Sequence, residues 1–438
     1  MTVPTANDGF MVDPEIERMD RPALARLQLE RLKHTVARAW ANVPHSRAAF
    51  AAAGVAPDDL RHIEDLSRFP FTTKADMRDA YPLGLLAVPR DKVVRLHASS
   101  GTTGKPTLVG YTAGDIGTWA GLIARSLACA GTRPGDVVHN ALGYGLFTGG
   151  LGFHYGAERL GCTVTPMSGG QSERQIALML DVGADVLVAT PSYALNLAEV
   201  AERMGADLAG SRLRLGVLGA EPWAETMRAE LDRRLGIAAI DSYGLSEIIG
   251  PGVAMECGLR QGLHAWEDHF LFEVIDPHTQ EPLPVGAEGE LVITTLTKEA
   301  QPLIRYRTRD ITRLDPEPCA CGRTHLRLLR VAGRNDDMLI IKGVNLYPSQ
   351  IEAVLVGFPG IAPHYQLVVS RQGARDHLSI EVETEGAVAE EDRGAIAGRI
   401  RHHLKSTLGL FCEVLVRLPG ELPRFQGKAV RVRDLRRE

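Results

Sequence analysis

The densest concentration of potential chemistry in the chain is Ser99-Ser100-Gly101-Thr102-Thr103-Gly104-Lys105-Pro106-Thr107. Its two glycines let the backbone bend so that several N–H groups point into one concavity. The hydroxyls of Ser99, Ser100, Thr102 and Thr103 add donors, and Lys105 adds positive charge, so the loop suits a triphosphate. It is not a Walker A loop, because only two residues separate Gly101 from Gly104 and a proline follows the lysine. A second group is Asp241-Ser242-Tyr243-Gly244-Leu245-Ser246-Glu247. Tyr243 offers a flat face to a purine, Gly244 permits close backbone approach, and Glu247 can hold a divalent cation. Magnesium keeps phosphate and water ligands, so one glutamate suffices. A third group joins Cys319 and Cys321 to Cys257 and His264, four ligands that could close a structural tetrahedral zinc site, with His325 as an alternative fourth ligand. Neither a Ser-His-Asp nor a Cys-His arrangement announces itself, so covalent catalysis is not required.

These residues need a scaffold, and the hydrophobic pattern describes one. Leu24, Leu27, Leu32, Val36 and Trp40 recur at helical spacing between Pro22 and Val43. Apolar runs at Asp136–Leu142, Thr163–Met167, Val186–Thr190 and Leu213–Gly219 alternate with helical stretches at Arg174–Leu180 and Ser192–Met204. Such alternation predicts an α/β fold with a mostly parallel sheet covered by helices. From Gly289 the texture changes to GELVITTL and PLIRYRTRD, as in a small antiparallel sheet or barrel. Beyond Gly333-Arg334-Asn335-Asp336-Asp337 a smaller α+β unit is expected, with strands at Tyr365–Val369, Leu378–Val382 and Glu413–Arg417 and a helix near Arg393–Leu408.

At 438 residues the chain exceeds one ordinary core. Its net charge of −5 argues against a general nucleic-acid or membrane-surface protein. The stretch from Arg399 to Glu438 is nonetheless basic, with ten Lys/Arg against four Asp/Glu, either a solvated face or a surface that meets a polyphosphate. The polar start lacks an apolar signal region and six cysteines are too few for a disulfide framework, so a soluble, cytoplasmic protein is expected.

Taken with RLHASSGTTGKPTLVGYT, GYGLFTGGLGFHYGAERLG, DSYGLSE and IKGVNLYPSQIE, the phosphate loop resembles that of the adenylate-forming superfamily, in its phenylacetate-CoA ligase-like branch. The resemblance runs from Phe69 to Ala429 and implies a large N-terminal adenylation domain (residues 1–335) and a small mobile C-terminal domain (336–438). By that resemblance Gly219, Ala220, Glu221 and Pro222 line the adenine, Asp241, Tyr243 and Gly244 join them, and Glu247 carries Mg²⁺. Asp310 would hold the ribose hydroxyls, and Arg334 would contact the nucleotide. Asp336 would be the hinge, and Lys428 the lysine that reaches the carboxylate and α-phosphate, with Thr103 and Glu247 assisting. Some members of the branch carry a zinc at a position like Cys257, His264, Cys319 and Cys321. Arg309 stands where the superfamily usually has glycine, and Phe425-Gln426 departs from the usual text before the lysine.

The implied reaction is ATP- and Mg²⁺-dependent formation of an aryl-adenylate, followed by thioester formation with coenzyme A. Loading of a carrier-protein phosphopantetheine and an inactive nucleotide-binding regulator are the alternatives, and a homodimer is possible. Leu142, Tyr144, Phe147, Gly149 and Phe153 match the acid pocket. The branch usually has Tyr at Leu142 and Ala at Phe153, and a phenyl in place of a methyl removes volume. The expectation is therefore a benzoate-like acid, amino- or hydroxy-substituted, rather than phenylacetate.

Overall fold

The computed structural model describes residues 9–99, 106–334, 338–341, 344–372 and 375–436. Five parallel strands form the centre of the large domain, in the order Thr163–Thr165, Val137–Asn140, Val186–Ala189, Leu215–Gly219 and Ala238–Leu245. Side chains alternate across this sheet. Val186 and Val188 enter one core with Trp119 and Ile123, while Leu187 and Ala189 enter another with Leu195 and Leu231. Both faces are thus apolar and both need helices, which explains the unbroken hydrophobic runs. Helices Ala113–Ala130 and Gly149–Leu160 cover the first face, and Ser172–Val182, Pro191–Met204 and Glu225–Leu235 the second.

The antiparallel strands expected as a separate subdomain are continuous with this sheet. Ala238–Leu245 pairs antiparallel with Gly250–Glu256, and the ladder runs on through Leu263–Ala265 and Arg327–Leu328 to Tyr306–Asp315, Glu288–Thr295 and Phe270–Ile275. With Gly333–Arg334 pairing on Tyr306–Asp315, one sheet of twelve strands results among the described residues. The short Arg327–Leu328 bridge, two residues long, gave no periodic signal of its own.

The amphipathic helix read near the N-terminus spans Arg21–Asn42; it is capped by Asp20, whose carboxylate accepts from Ala23 N at 2.7 Å, and buries Leu24, Leu32 and Val36. The C-terminal unit has its own core and a four-stranded sheet, ordered Glu413–Arg417, Arg375–Thr384, Ile361–Gln372 and Val432–Asp434, packed with helix Glu390–Leu408. Among the described residues no helix is long and apolar enough to cross a membrane.

Candidate active site

Strands Arg95–Ser99 and Thr107–Tyr111 pair antiparallel and bring Ser99 opposite Thr107 at the mouth of the phosphate loop. The expected loop residues Ser100, Gly101, Thr102, Thr103, Gly104 and Lys105 lie outside the described residues, as does the expected hinge Asp336.

Tyr243, Asp310 and Arg334, the residues expected at the nucleotide, come together in the large domain. Tyr243, on the last parallel strand, donates its hydroxyl to Asp310 Oδ2 at 2.5 Å. Burial, then the nearby Asp310 charge, hold this phenol well above its ordinary pKa. Asp310 pairs in register with Arg334, whose Nε lies 3.8 Å from Asp310 Oδ1. Three residues distant in sequence thereby form one polar cluster. Arg309, beside it, takes a φ of +69°, a conformation that costs a side-chain-bearing residue about 1 kcal/mol or more and that glycine adopts freely. The superfamily's usual glycine at this point has a geometric reason.

Gly244 does permit close approach, but toward the neighbouring strand: a Cβ there would lie 2.2 Å from the Gly250 carbonyl oxygen. Asp241 is engaged on its own side, accepting from Trp223 Nε1 at 3.1 Å, and burial with the Glu256 charge raises its pKa to about 6. Ala220 follows Gly219 with a φ of +71°, a strained turn of the kind found at functional sites. The Glu221 carboxylate is engaged by two backbone amides. Its Oε1 accepts from Ser192 N and its Oε2 from Ala429 N, both at 2.7 Å.

That second bond seats the loop carrying Lys428. Thr190, which caps helix Pro191–Met204, donates its hydroxyl to the Gly427 carbonyl at 3.1 Å. Gly169 lies so close that a Cβ would come within 2.9 Å of the Gln426 carbonyl. The residues on both sides of Lys428 are thus docked on the large domain. The domains are joined further by Glu352, whose carboxylate accepts from Ala224 N at 2.8 Å, and by Ser349, which donates to the Ala332 carbonyl.

Glu247 is buried, and its carboxylate lies 3.3 Å from Lys74 Nζ. Lys298 reaches the same turn from the antiparallel side, donating to Ile248 O at 2.7 Å and Glu247 O at 3.4 Å, with its ammonium over the Tyr111 ring. Desolvation lowers its pKa to about 8. Neither lysine was singled out from sequence. Lys74 ends the Phe69–Lys74 run and Lys298 sits in Thr295-Leu296-Thr297-Lys298, so position near matched text was the only signal.

On the acid side, Phe147 is 56% exposed whereas Phe153 is 4% exposed and packed within the large core. Leu142 packs against that core and against Gly149. Tyr144 receives a hydrogen bond from Asn140 Nδ2 at 2.8 Å and meets His154 Nδ1 at 3.2 Å, and burial pushes its phenol up to about 12. Thr148 at the helix start meets Ser246 at 3.0 Å, joining the acid side to the Glu247 turn.

The ligand atoms of Cys257, His264, Cys319 and Cys321 lie within 4.8 Å of one another, and all four residues are buried. Cys257 Sγ is 3.9 Å from Cys319 Sγ, and Cys321 Sγ is 3.4 Å from His264 Nε2. A tetrahedron with metal–sulfur bonds of about 2.3 Å has edges near 3.8 Å, so the donor set fits zinc. His325 is committed elsewhere, its two ring nitrogens meeting Ala265 O at 3.2 Å and Ile16 O at 3.0 Å. The alternative fourth ligand is thereby displaced by the backbone.

Residues 24–297 match the AMP-binding enzyme family and residues 343–436 its AMP-binding enzyme C-terminal domain. The chain belongs to the AMP-binding enzyme family. It is an AMP-forming acid–CoA ligase of the phenylacetate-CoA ligase-like kind, with ATP and CoA as substrates. It is 55% identical over 430 residues to phenylacetate-coenzyme A ligase of Escherichia coli (strain K12), covering 97% of this chain and 98% of that one. Over 445 residues it is 52% identical to the Thermus thermophilus protein of the same name, covering 98% and 100%. A crystal structure of 2-hydroxyisobutyryl-CoA ligase in the postadenylation state superposes with a TM-score of 0.90 at 29% identity, over 97% of this chain and 92% of that one. The thioesterification-state structure of that ligase superposes with a TM-score of only 0.72. The domain arrangement of the present ligase therefore resembles the postadenylation form.

Proposed function

We propose that this ligase activates phenylacetate. In its first step the acid's carboxylate attacks the α-phosphorus of ATP and displaces pyrophosphate. In its second the thiol of CoA attacks the resulting mixed anhydride and releases AMP. The observation that supports the residue roles is the seating of the Lys428 loop by Thr190 and Glu221, alongside the separate gathering of Tyr243, Asp310 and Arg334. Lys428 then supplies a flexible ammonium where negative charge gathers on the phosphorus, while Asp310 accepts from the ribose hydroxyls and Tyr243 flanks the purine. Glu247, already beside a cation in Lys74, is the carboxylate that would hold Mg²⁺, which neutralises phosphate charge when bound. The phosphate loop, through Thr103 and Lys105, completes the set. Zinc at Cys257, His264, Cys319 and Cys321 would be structural, since protein donors fill all four positions.

The choice of acid rests on the relatives, named for phenylacetate at 51% to 55% identity. The benzoate expectation relies on Phe153 walling the pocket, and that ring is part of the core. The test is pyrophosphate release with phenylacetate, benzoate and its amino and hydroxy derivatives, with and without CoA, in the parent and Phe153→Ala. Phenylacetate should lead, AMP release should require free CoA, and Phe153→Ala should lower stability by about 3–5 kcal/mol without changing the ranking of acids. A benzoate that leads in the parent and falls behind in Phe153→Ala would restore the pocket reading. A one-methylene difference supports about ten- to two-hundred-fold selectivity, so the ranking is measurable.

A further inference from the structure

The interface that seats Lys428 contains a carboxylate that the two-step reaction does not use. Glu199 projects from helix Pro191–Met204 of the large domain, and its Oε2 accepts from Arg424 Nε at 3.0 Å. Its Oε1 is hydrogen-bonded to Nε2 of His364, a buried residue of the C-terminal sheet. Arg424 stands four positions before Lys428, on the same loop. Its remaining nitrogens bind Glu383 at 2.6 and 3.0 Å, so the guanidinium ties the C-terminal sheet to the large-domain helix. Arg234, a second guanidinium at 3.9 Å, belongs to the large domain itself. Burial by itself would raise the Glu199 pKa, yet the bond and charge of His364, then Arg424 and Arg234, hold it below its ordinary value.

Resting on the reading of Lys428 given above, we propose that Glu199 is a positioning residue, a latch that sets the share of molecules in which Lys428 is seated for adenylation. A contact biases a conformational equilibrium only if it differs between the two states. Glu199 meets that requirement, because two of its three side-chain partners, His364 and Arg424, belong to the other domain and must leave when that domain turns. A partly buried carboxylate stripped of them loses strong charge-assisted hydrogen bonds. Thr190 and Glu221 grip the backbone of the lysine loop, whereas Glu199 grips side chains, so the latch can be weakened without rebuilding the loop.

The experiment uses the full chain and reads the half-reactions separately: acid-dependent ATP–pyrophosphate exchange, and CoA thioester formation from supplied phenylacetyl-adenylate. In Glu199→Gln, exchange should fall by about ten-fold, as a population shift of that size requires, while thioester formation is unchanged or faster. Arg424→Gln should show the same split, and Glu199→Asp should recover part of the exchange. Glu202→Gln, which alters an exposed carboxylate on the same helix paired with Arg234, should leave both within two-fold. Proportional loss of both half-reactions in Glu199→Gln and Arg424→Gln, or no change in either, overturns the latch. Lys428→Ala run in parallel separates the causes. Retained exchange there sinks the lysine reading and the latch with it. Abolished exchange there, with a parental ratio in Glu199→Gln, sinks the latch alone.

Discussion

The cysteine–histidine cluster and the Lys428 seat are both built from residues far apart in sequence, and they differ in what the surrounding structure does to them. Cys257, His264, Cys319 and Cys321 are all buried within the large domain, and Arg323 beside them is tied to Glu17 at 2.7 Å. Nothing there needs to move. Lys428 is exposed, and the contacts that hold its neighbours come from another domain: Thr190 to Gly427, Glu221 to Ala429, Glu199 to Arg424. Those contacts are polar, and they lie at the boundary between the two domains. On the roles proposed above, the contrast is between a site that would hold structure and one that would be assembled for a single step.

The sharpest way to break the comparison is Lys428→Ala. Exchange of pyrophosphate into ATP should fall by roughly 10²–10³-fold, as when a preorganised charge is removed. The same variant should still convert supplied acyl-adenylate to thioester. Equal loss in both assays would mean that the lysine is needed throughout and that its seat is not specific to one step.

The cluster should fail in a different manner. Cys319→Ala should abolish a stoichiometric zinc measured by elemental analysis of chelator-free protein. It should lower the melting temperature by at least several degrees, since structural zinc contributes folding energy directly. ATP affinity at low temperature should stay within about two-fold of the parent, given the ion's structural role. Parent protein prepared without chelators yet lacking zinc, or a variant whose affinity collapses before its stability, would erase the distinction.

A smaller effect is expected from Tyr243→Phe, within the nucleotide cluster of the large domain. Removing the hydroxyl leaves Asp310 with Arg334 and costs one charge-assisted bond of about 1.5–3 kcal/mol. Part of that returns when ribose hydroxyls take its place, so AMP affinity should change by only a few-fold in a calorimetric titration, with exchange reduced to match. A loss as deep as that of Lys428→Ala would move Tyr243 from support to chemistry.

How far sequence reasoning carried can be argued from individual positions. The Val186–Ala189 strand and the helices around it were legible because an apolar run between turn residues has few other solutions. The Glu413–Arg417 strand and the helix before it were legible for the same reason. The family was legible because phosphate, ribose and metal recognition demand particular residue types at short spacing, and those motifs are the text that the family shares. The candidate zinc ligands were legible as Cys257, His264, Cys319 and Cys321, with His325 as the alternative fourth. The structure gathers the first four and engages His325 with the backbone carbonyls of Ala265 and Ile16. Glu221 illustrates the opposite limit: its motif reads as an adenine-lining segment through backbone atoms, and nothing in the spacing announced that its carboxylate would accept from Ala429 on the lysine loop.

By itself, then, the order of residues determined the family, the chemistry available, and the strands and helices that periodicity demands, because each depends on neighbours close in the chain. Tertiary structure decided which carboxylate meets which cation. Glu247 pairs with Lys74, Asp310 with Tyr243 and Arg334, and Glu199 with His364 and Arg424. Hydrogen bonds and ion pairs act over a few ångströms of space, and side-chain type and spacing along a chain do not specify which distant segments will come within that reach.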